Sequence, residues 1–289
     1  MRGAHVRVIC GVAVAAAAAS VATVVAVDAA SQGGAARAVA APTTTTAPAP
    51  TPTVATTTTL PPPPPSKSAA APLRDLQEGD KGADVLALEE RLAELGYRPG
   101  VLDGGFDGDL ASAVLAFQKH EGLERDRIVT VDVRLALAAP AGAGPEAGLP
   151  VPRVEIDKER QIAFVVLDSG ITILNVSTGN EEYYQAPSGG TGFARTPVGE
   201  YSVVSRIDGV RHAPLGTLYR PLYFHGGYAI HGSMSVPEYP ASHGCVRVSY
   251  PDMDWLFPTI DNGTPVYVYD IENPLPPPEI RVGPVPTYS

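Results

Sequence analysis

The sequence is poor in cysteine, tryptophan and positive charge. Its 289 residues hold two cysteines, one tryptophan and 21 Lys and Arg against 31 Asp and Glu, for a formal net charge of -10. Nucleic-acid binding needs clustered basic residues, so no nucleic-acid partner is expected. An acidic balance speaks for solubility, not for a particular fold. The chain also lacks H-E-x-x-H and any C-x-x-C pair, the spacings that metalloproteases and structural zinc sites use. His225, His231, His243 and Cys245 are zinc-compatible by residue type, but a single cysteine is thin for a structural site, and no metal is expected.

The scarcity of cysteine gains meaning from the N-terminus. Arg2 and Arg7 form a short basic region, and Val8 to Val27 runs without a charge. That run is long enough to span a bilayer, yet it is rich in alanine and is followed by the small triplet Ala38-Val39-Ala40, as before a signal-peptidase cut. Residues 1–40 therefore read as a signal peptide or an N-terminal membrane anchor, with both open, and the remainder as exported. Cys10 lies within the apolar run, where a lipobox cysteine would not. Cys245 is then the one cysteine of the exported part, and no intramolecular disulfide can form there. A lone thiol in an oxidising compartment invites damage unless it is used. The alternative is an inert buried cysteine.

Residues 41–72 are nearly all Pro, Thr, Ala and Ser, a composition that cannot bury a core and reads as a disordered linker. At about 3.1 Å per residue it reaches on the order of 90 Å when extended. Residues 73–140 turn helical in pattern: Val85, Leu88, Leu92 and Leu95 follow helical spacing before Gly96, and Leu110, Ala113, Val114 and Phe117 share a face before Gly122. A third, shorter run covers Val131 to Leu137, so the segment reads as a small all-α three-helix domain, marginal as a core of its own. After a linker at 141–152, residues 153–270 alternate as strands do. "RQIAFVVLDSGITILNVST" reads as two strands around Asp168-Ser169-Gly170, and "GEYSVVSRI", "YAIHGS" and "TPVYVYD" as one strand each. "YPDMDWLFPTI" is expected to form the one short helix of this half. Residues 271–289, with six prolines, read as a disordered tail.

A cysteine nucleophile needs a nearby base or cation and a partly open setting. His231 ends the strand "YAIHGS" and His243 precedes Cys245 by two residues. Adjacent strands lie about 4.8 Å apart, so a histidine on one and a cysteine at the start of the next come within reach. An extended backbone places His243, Cys245 and Arg247 on one face. Gly244 allows a turn whose N–H groups, with that of Cys245, are able to cradle an oxyanion. Arg247 suits a substrate carboxylate or the support of the loop. His212 and His225 read as surface or packing residues, with His225 at the "FHGGY" turn.

The residues "AIHGS" and "ASHGCVRV", with "TPVGEY" upstream and "GTPVYVY" downstream, resemble the L,D-transpeptidase catalytic domain family of bacterial cell walls. "LQEGDKGADVLALEERLAELGYRPGVLDGGFDGDLASAVLAFQKHEGL" resembles the three-helix peptidoglycan-binding domain. The resemblance implies a mostly-β catalytic domain, a mixed β-sandwich with a short helix, at 153–270, preceded by the all-α domain. It implies Cys245 as nucleophile, His231 as general base and acid, the Gly232 carbonyl as orienter of the imidazole, and the N–H groups of Gly244 and Cys245 as an oxyanion hole. Ser242, His243 and Arg247 would shape the loop and the donor site. The partners it implies are peptidoglycan stem peptides as donor and acceptor, with glycan contact by residues 73–140, at the cell wall or the outer face of the cytoplasmic membrane, or in secreted form. The expected reaction releases D-alanine from a tetrapeptide stem and passes the acyl group to an amine. Water or a protein amine as acceptor, and a non-catalytic wall-binding role, stay open. Where the family usually has F-G-x-x-T, this chain carries Phe106, Asp107 and Leu110.

Overall fold

The computed structural model describes residues 74–187 and 189–275. The expected signal or anchor segment, the Pro/Thr-rich linker and most of the Pro-rich tail lie outside the described residues. Among the described residues no helix is long and apolar enough to cross a membrane.

The helical segment forms as its periodicity predicts. Helix α1 (Ala83–Glu94) buries Val85, Leu88 and Leu92, and Gly96, at φ 87°, makes the left-handed turn behind it. Helix α2 (Gly108–Glu121) starts at Asp107, whose carboxylate accepts the Asp109 and Leu110 N–H groups at 3.0 Å each. A cap of that kind contributes about 1 kcal/mol, which gives the departure from F-G-x-x-T a structural use. Helix α3 (Val131–Ala138) is capped by the Thr130 side chain. Helix α2 is buried on most sides, from Leu110 to Lys119, as befits a helix with neighbours all round.

The second half is a mixed β-sandwich. Its strands are β1 (Arg153–Asp157), β2 (Ile162–Leu167), β3 (Gly170–Asn175), β4 (Tyr183–Gln185), β5 (Thr191–Phe193), β6 (Gly199–Ser202), β7 (Ser205–Arg206), β8 (Val210–Ala213), β9 (Gly216–His225), β10 (Tyr228–Gly232) and β11 (Val246–Val248). Helix α4 (Tyr250–Thr259), capped by Ser249, precedes β12 (Pro265–Tyr269). One sheet has the order β3-β2-β1-β12-β6, the other β11-β10-β9-β7 with β8 beside β9, and β4–β5 form a separate ribbon. The pairs β1–β12 and β10–β11 are parallel, the rest antiparallel.

"GEYSVVSRI" is not one strand. It crosses between sheets, β6 pairing with β12 and β7 with β9. At the crossing, Val203 N–H donates to the Thr264 carbonyl and Val204 N–H to the Tyr223 carbonyl. Buried Val203 thus serves one sheet and exposed Val204 the other.

Two apolar cores meet on β2. Ala163 and Val165 face the sandwich interior with Val154, Ile156, Leu222, Phe224, Ile230, Val246 and Val248, which α4 closes with Met253 and Leu256. Ile162, Phe164 and Val166 face the other way, with Ile173, into the core of the helical segment around Leu92, Phe117 and Val133. A strand covered on both faces reads as a continuous apolar run, which is why "IAFVVL" has no polar alternate. The three helices therefore do not enclose a core of their own. They share one with the sheet.

Candidate active site

The turn Gly226-Gly227 joins β9 to β10, with Tyr228 opposite His225. Strand β10 runs parallel to β11 in a register that sets Ile230 against Val246 and His231 against Arg247. Alternation then divides the side chains. Ile230, Val246 and Val248 enter the sandwich core, while His231, Cys245 and Arg247 line a cavity of about 850 Å³. Tyr184, Tyr228, Ser242 and His243 also line it, and the β8–β9 hairpin adds Arg211 and Leu215.

Two groups of bonds fix the loop before β11. Thr178 accepts the Ala241 and Ser242 N–H groups on its carbonyl, at 3.0 and 2.9 Å. The buried Thr196 hydroxyl donates to the Gly244 carbonyl at 2.8 Å and accepts the Gly179 N–H at 2.9 Å. Gly244 adopts φ 132°, and a Cβ there would meet Tyr228 Cε1 at 2.6 Å and the Arg195 carbonyl at 2.8 Å. Only glycine fits that backbone and that space.

His231 is 6% exposed, and its Nδ1 lies 2.9 Å from the Gly232 carbonyl. A carbonyl only accepts, so Nδ1 carries the proton and Nε2 is left as the basic nitrogen. Burial lowers the imidazole from its ordinary value; the Gly232 carbonyl opposes that and the Arg247 cation adds to it. Burial pushes the Cys245 thiol up, against the Ala229 N–H and Arg247, both of which favour the thiolate. Both shifts favour a neutral thiol beside a neutral imidazole. Cys245 is a free cysteine, half-buried, and its Sγ lies 3.9 Å from the Gly227 carbonyl. It makes no hydrogen bond to His231 among the described residues, although the two share a face and a cavity.

Arg247 is half-buried and its guanidinium is lowered by that burial. Among the described residues no carboxylate pairs with it, and the arginines that do form ion pairs are others. An unpaired cation in a cavity wall is a ready receptor for an anion.

His243 is exposed and packs edge-on against Tyr184, ring centroids 4.7 Å apart, at the cavity rim. The Gly244 N–H donates to Ser242 Oγ at 2.9 Å, and Ser242 Oγ donates in turn to the Cys245 carbonyl, so this amide serves the loop's own turn. The zinc-compatible residues do not converge: His225 packs with Tyr201 and Tyr228, and among the described residues no three His, Cys, Asp or Glu side chains gather to hold a metal ion. His212 is exposed on β8, with Nδ1 3.3 Å from Thr217 Oγ1. Thr178, Thr196 and Tyr228 were not singled out by sequence. The "TPVGEY" stretch that contains Thr196 was visible, but nothing in it disclosed a bond to residue 244.

Residues 152–268 match the L,D-transpeptidase catalytic domain family, and residues 81–137 a peptidoglycan binding domain family. The L,D-transpeptidase (residues 123-326) from Xylanimonas cellulosilytica DSM 15894 is 43% identical, with a TM-score of 0.65, over 69% of this chain and 99% of its own. The chain belongs to the L,D-transpeptidase family. An L,D-transpeptidase from Stackebrandtia nassauensis is 23% identical over 69% of this chain and 97% of its own, with a TM-score of 0.39. No curated protein matches the chain. As a member of the L,D-transpeptidase family with a peptidoglycan-binding domain in front, the protein is a transpeptidase with peptidoglycan as its partner.

Proposed function

We propose that this L,D-transpeptidase is exported and cross-links peptidoglycan through a thioester on Cys245. The observation that carries the reading is the shared face of β10 and β11, where an imidazole with Nε2 free, a half-buried thiol and an unpaired guanidinium line one cavity.

In this reading the Cys245 thiol attacks the carbonyl on the L-centred side of the L,D peptide bond in a tetrapeptide stem. His231 Nε2 takes the thiol proton as the C–S bond forms and returns it to the departing nitrogen as the C–N bond breaks, releasing D-alanine. The neutral pair disfavours a standing thiolate, so proton transfer accompanies attack. Arg247 receives the terminal carboxylate of the donor stem. The Cys245 N–H stabilises the oxyanion, and the Gly244 N–H joins it when Ser242 Oγ gives it up. His243 and Ser242 shape the donor side of the loop. An amine of a neighbouring stem then attacks the thioester, restoring the thiol and forming a cross-link between third residues. No cofactor enters any step.

Export is supported by residues 1–40 and by the free thiol, and residues 73–140 are expected to touch glycan. Fractionation of cells for the full chain tests the first, and cosedimentation with stem-free glycan strands the second. The reaction is tested by incubating the protein with tetrapeptide stems and weighing the products. Released D-alanine with cross-linked dimers is expected. Trimmed tripeptides alone identify water as the acceptor, protein adducts an anchoring enzyme, and no product at all, with wall binding kept by Cys245→Ala, a binding protein.

A further inference from the structure

The loop 233–241, between the histidine strand and the cysteine motif, is held by the helical segment. Four consecutive carbonyls in it each accept a side-chain donor. Val236 accepts from Arg127 and Asn175, both at 3.4 Å, and Pro237 from Lys119 Nζ at 3.2 Å. Glu238 accepts from Arg125 at 3.3 Å and Tyr239 from Ser177 Oγ at 2.8 Å. Lys119, Arg125 and Arg127 all belong to α2 and the turn behind it. Prolines at 237 and 240 have no N–H to give, so this loop is fixed largely through what its carbonyls accept.

Lys119 stands at the centre. It is 1% exposed, and its three N–H groups meet three acceptors: Asn175 Oδ1 at 2.6 Å, the Val176 carbonyl at 2.9 Å and the Pro237 carbonyl. No carboxylate lies within ion-pair distance of it among the described residues. Asn175 and Val176 lead directly into Ser177, which exchanges backbone bonds with Arg247, and Thr178, which takes the Ala241 and Ser242 N–H groups. One ammonium therefore ties the loop to the chain segment on which Arg247 and the cysteine motif rest. Burial, with Arg125 and Arg127 nearby, lowers it to about 7 against the pull of Glu238. A lysine is rarely buried in that way without a use.

We propose that Lys119 is a positioning residue for the transpeptidase reaction, by which the helical domain sets the Ser242–Cys245 loop against His231. The helical domain is then a working part of the catalytic site, whatever it binds on its own surface. The proposal rests on the Cys245 and His231 reading.

The test compares the wild-type protein with Lys119→Met, which keeps the length of the side chain and removes its donors. With tetrapeptide stems, kcat is expected to fall at least tenfold while KM stays within twofold, and amides 238–245 are expected to exchange with deuterium at least tenfold faster. A folded variant with wild-type kcat and wild-type exchange overturns the proposal. If Lys119→Met does not fold, the Arg125→Ala/Arg127→Ala double variant decides, with lowered kcat and faster loop exchange supporting the proposal and unchanged values overturning it. If the wild-type protein itself does not turn over the stems, the functional reading fails, and the exchange rates alone judge the positioning.

Discussion

His231 and Arg247 stand opposite each other across the parallel β10–β11 pair, so the imidazole proposed as the base sits beside a permanent cation. Burial and Arg247 both lower the imidazole. The activity of the base form should therefore persist below about pH 6.5, the ordinary imidazole value and the reference for the unfolded chain. The acid limb of kcat/KM against pH measures this. Arg247→Met should move that limb upward, toward the ordinary value, and should raise KM for stems with a free terminal carboxylate. A limb that stays in place or moves down argues against the pairing. The same shift has a stability consequence. The unfolded chain binds the proton more readily than the folded one, so this contribution is present above the unfolded value and is lost as pH falls toward the folded one.

Gly244→Ala places a Cβ within 2.6 Å of Tyr228 and 2.8 Å of the Arg195 carbonyl at φ 132°. The strain should cost about 1–3 kcal/mol, and displacement of Cys245 should lower kcat on the order of a hundredfold. Denaturant unfolding and steady-state kinetics read the two effects separately.

Thr196→Val removes a buried hydroxyl that links the Gly179 N–H to the Gly244 carbonyl. Leaving both groups unsatisfied should cost about 1–3 kcal/mol and reduce kcat, whereas Thr196→Ser should restore most of each. Equal behaviour of the two variants in unfolding and turnover would show that the hydroxyl does not hold the loop.

Phe164→Ala should destabilise the helices and the sheet together, by about 3–5 kcal/mol, because Phe164 closes the core the two share. Trp255, the one tryptophan of the chain, lies on α4 under the Arg98 guanidinium of the helical segment, 4.6 Å from Cζ to the ring centroid. Arg98 also pairs with buried Asp252 at 3.0 Å. Tryptophan fluorescence and far-ultraviolet circular dichroism should therefore trace one coincident transition. Two separated transitions would show that the helical segment folds independently.

How much of this was legible before the structure depends on the range of the interaction that fixes each part. The helices were, because Val85, Leu88 and Leu92 or Asp107 and Gly122 act within a few residues. So were β2, β3, β10, β12 and α4. Strand β9, with Arg220 and Pro221 in its middle, alternates poorly, and β6 and β7 differ only in which sheet supplies Val203 and Val204 with a carbonyl. At the site, His231, Gly232 and Cys245 were readable from their motif. The Gly244 N–H going to Ser242, Thr196 reaching Gly244 across 48 residues, and Lys119 reaching Pro237 across 118 were not. Each depends on where sheets and helices meet, and no local pattern encodes that.

The most direct test of the account is the intact mass of the protein during turnover of a tetrapeptide stem. A transient gain equal to the acyl tripeptide is expected, mapped by peptide digestion to Cys245, lost on adding an acceptor stem and absent from Cys245→Ala. A protein that releases D-alanine without that adduct, or that carries it on another residue, would contradict it.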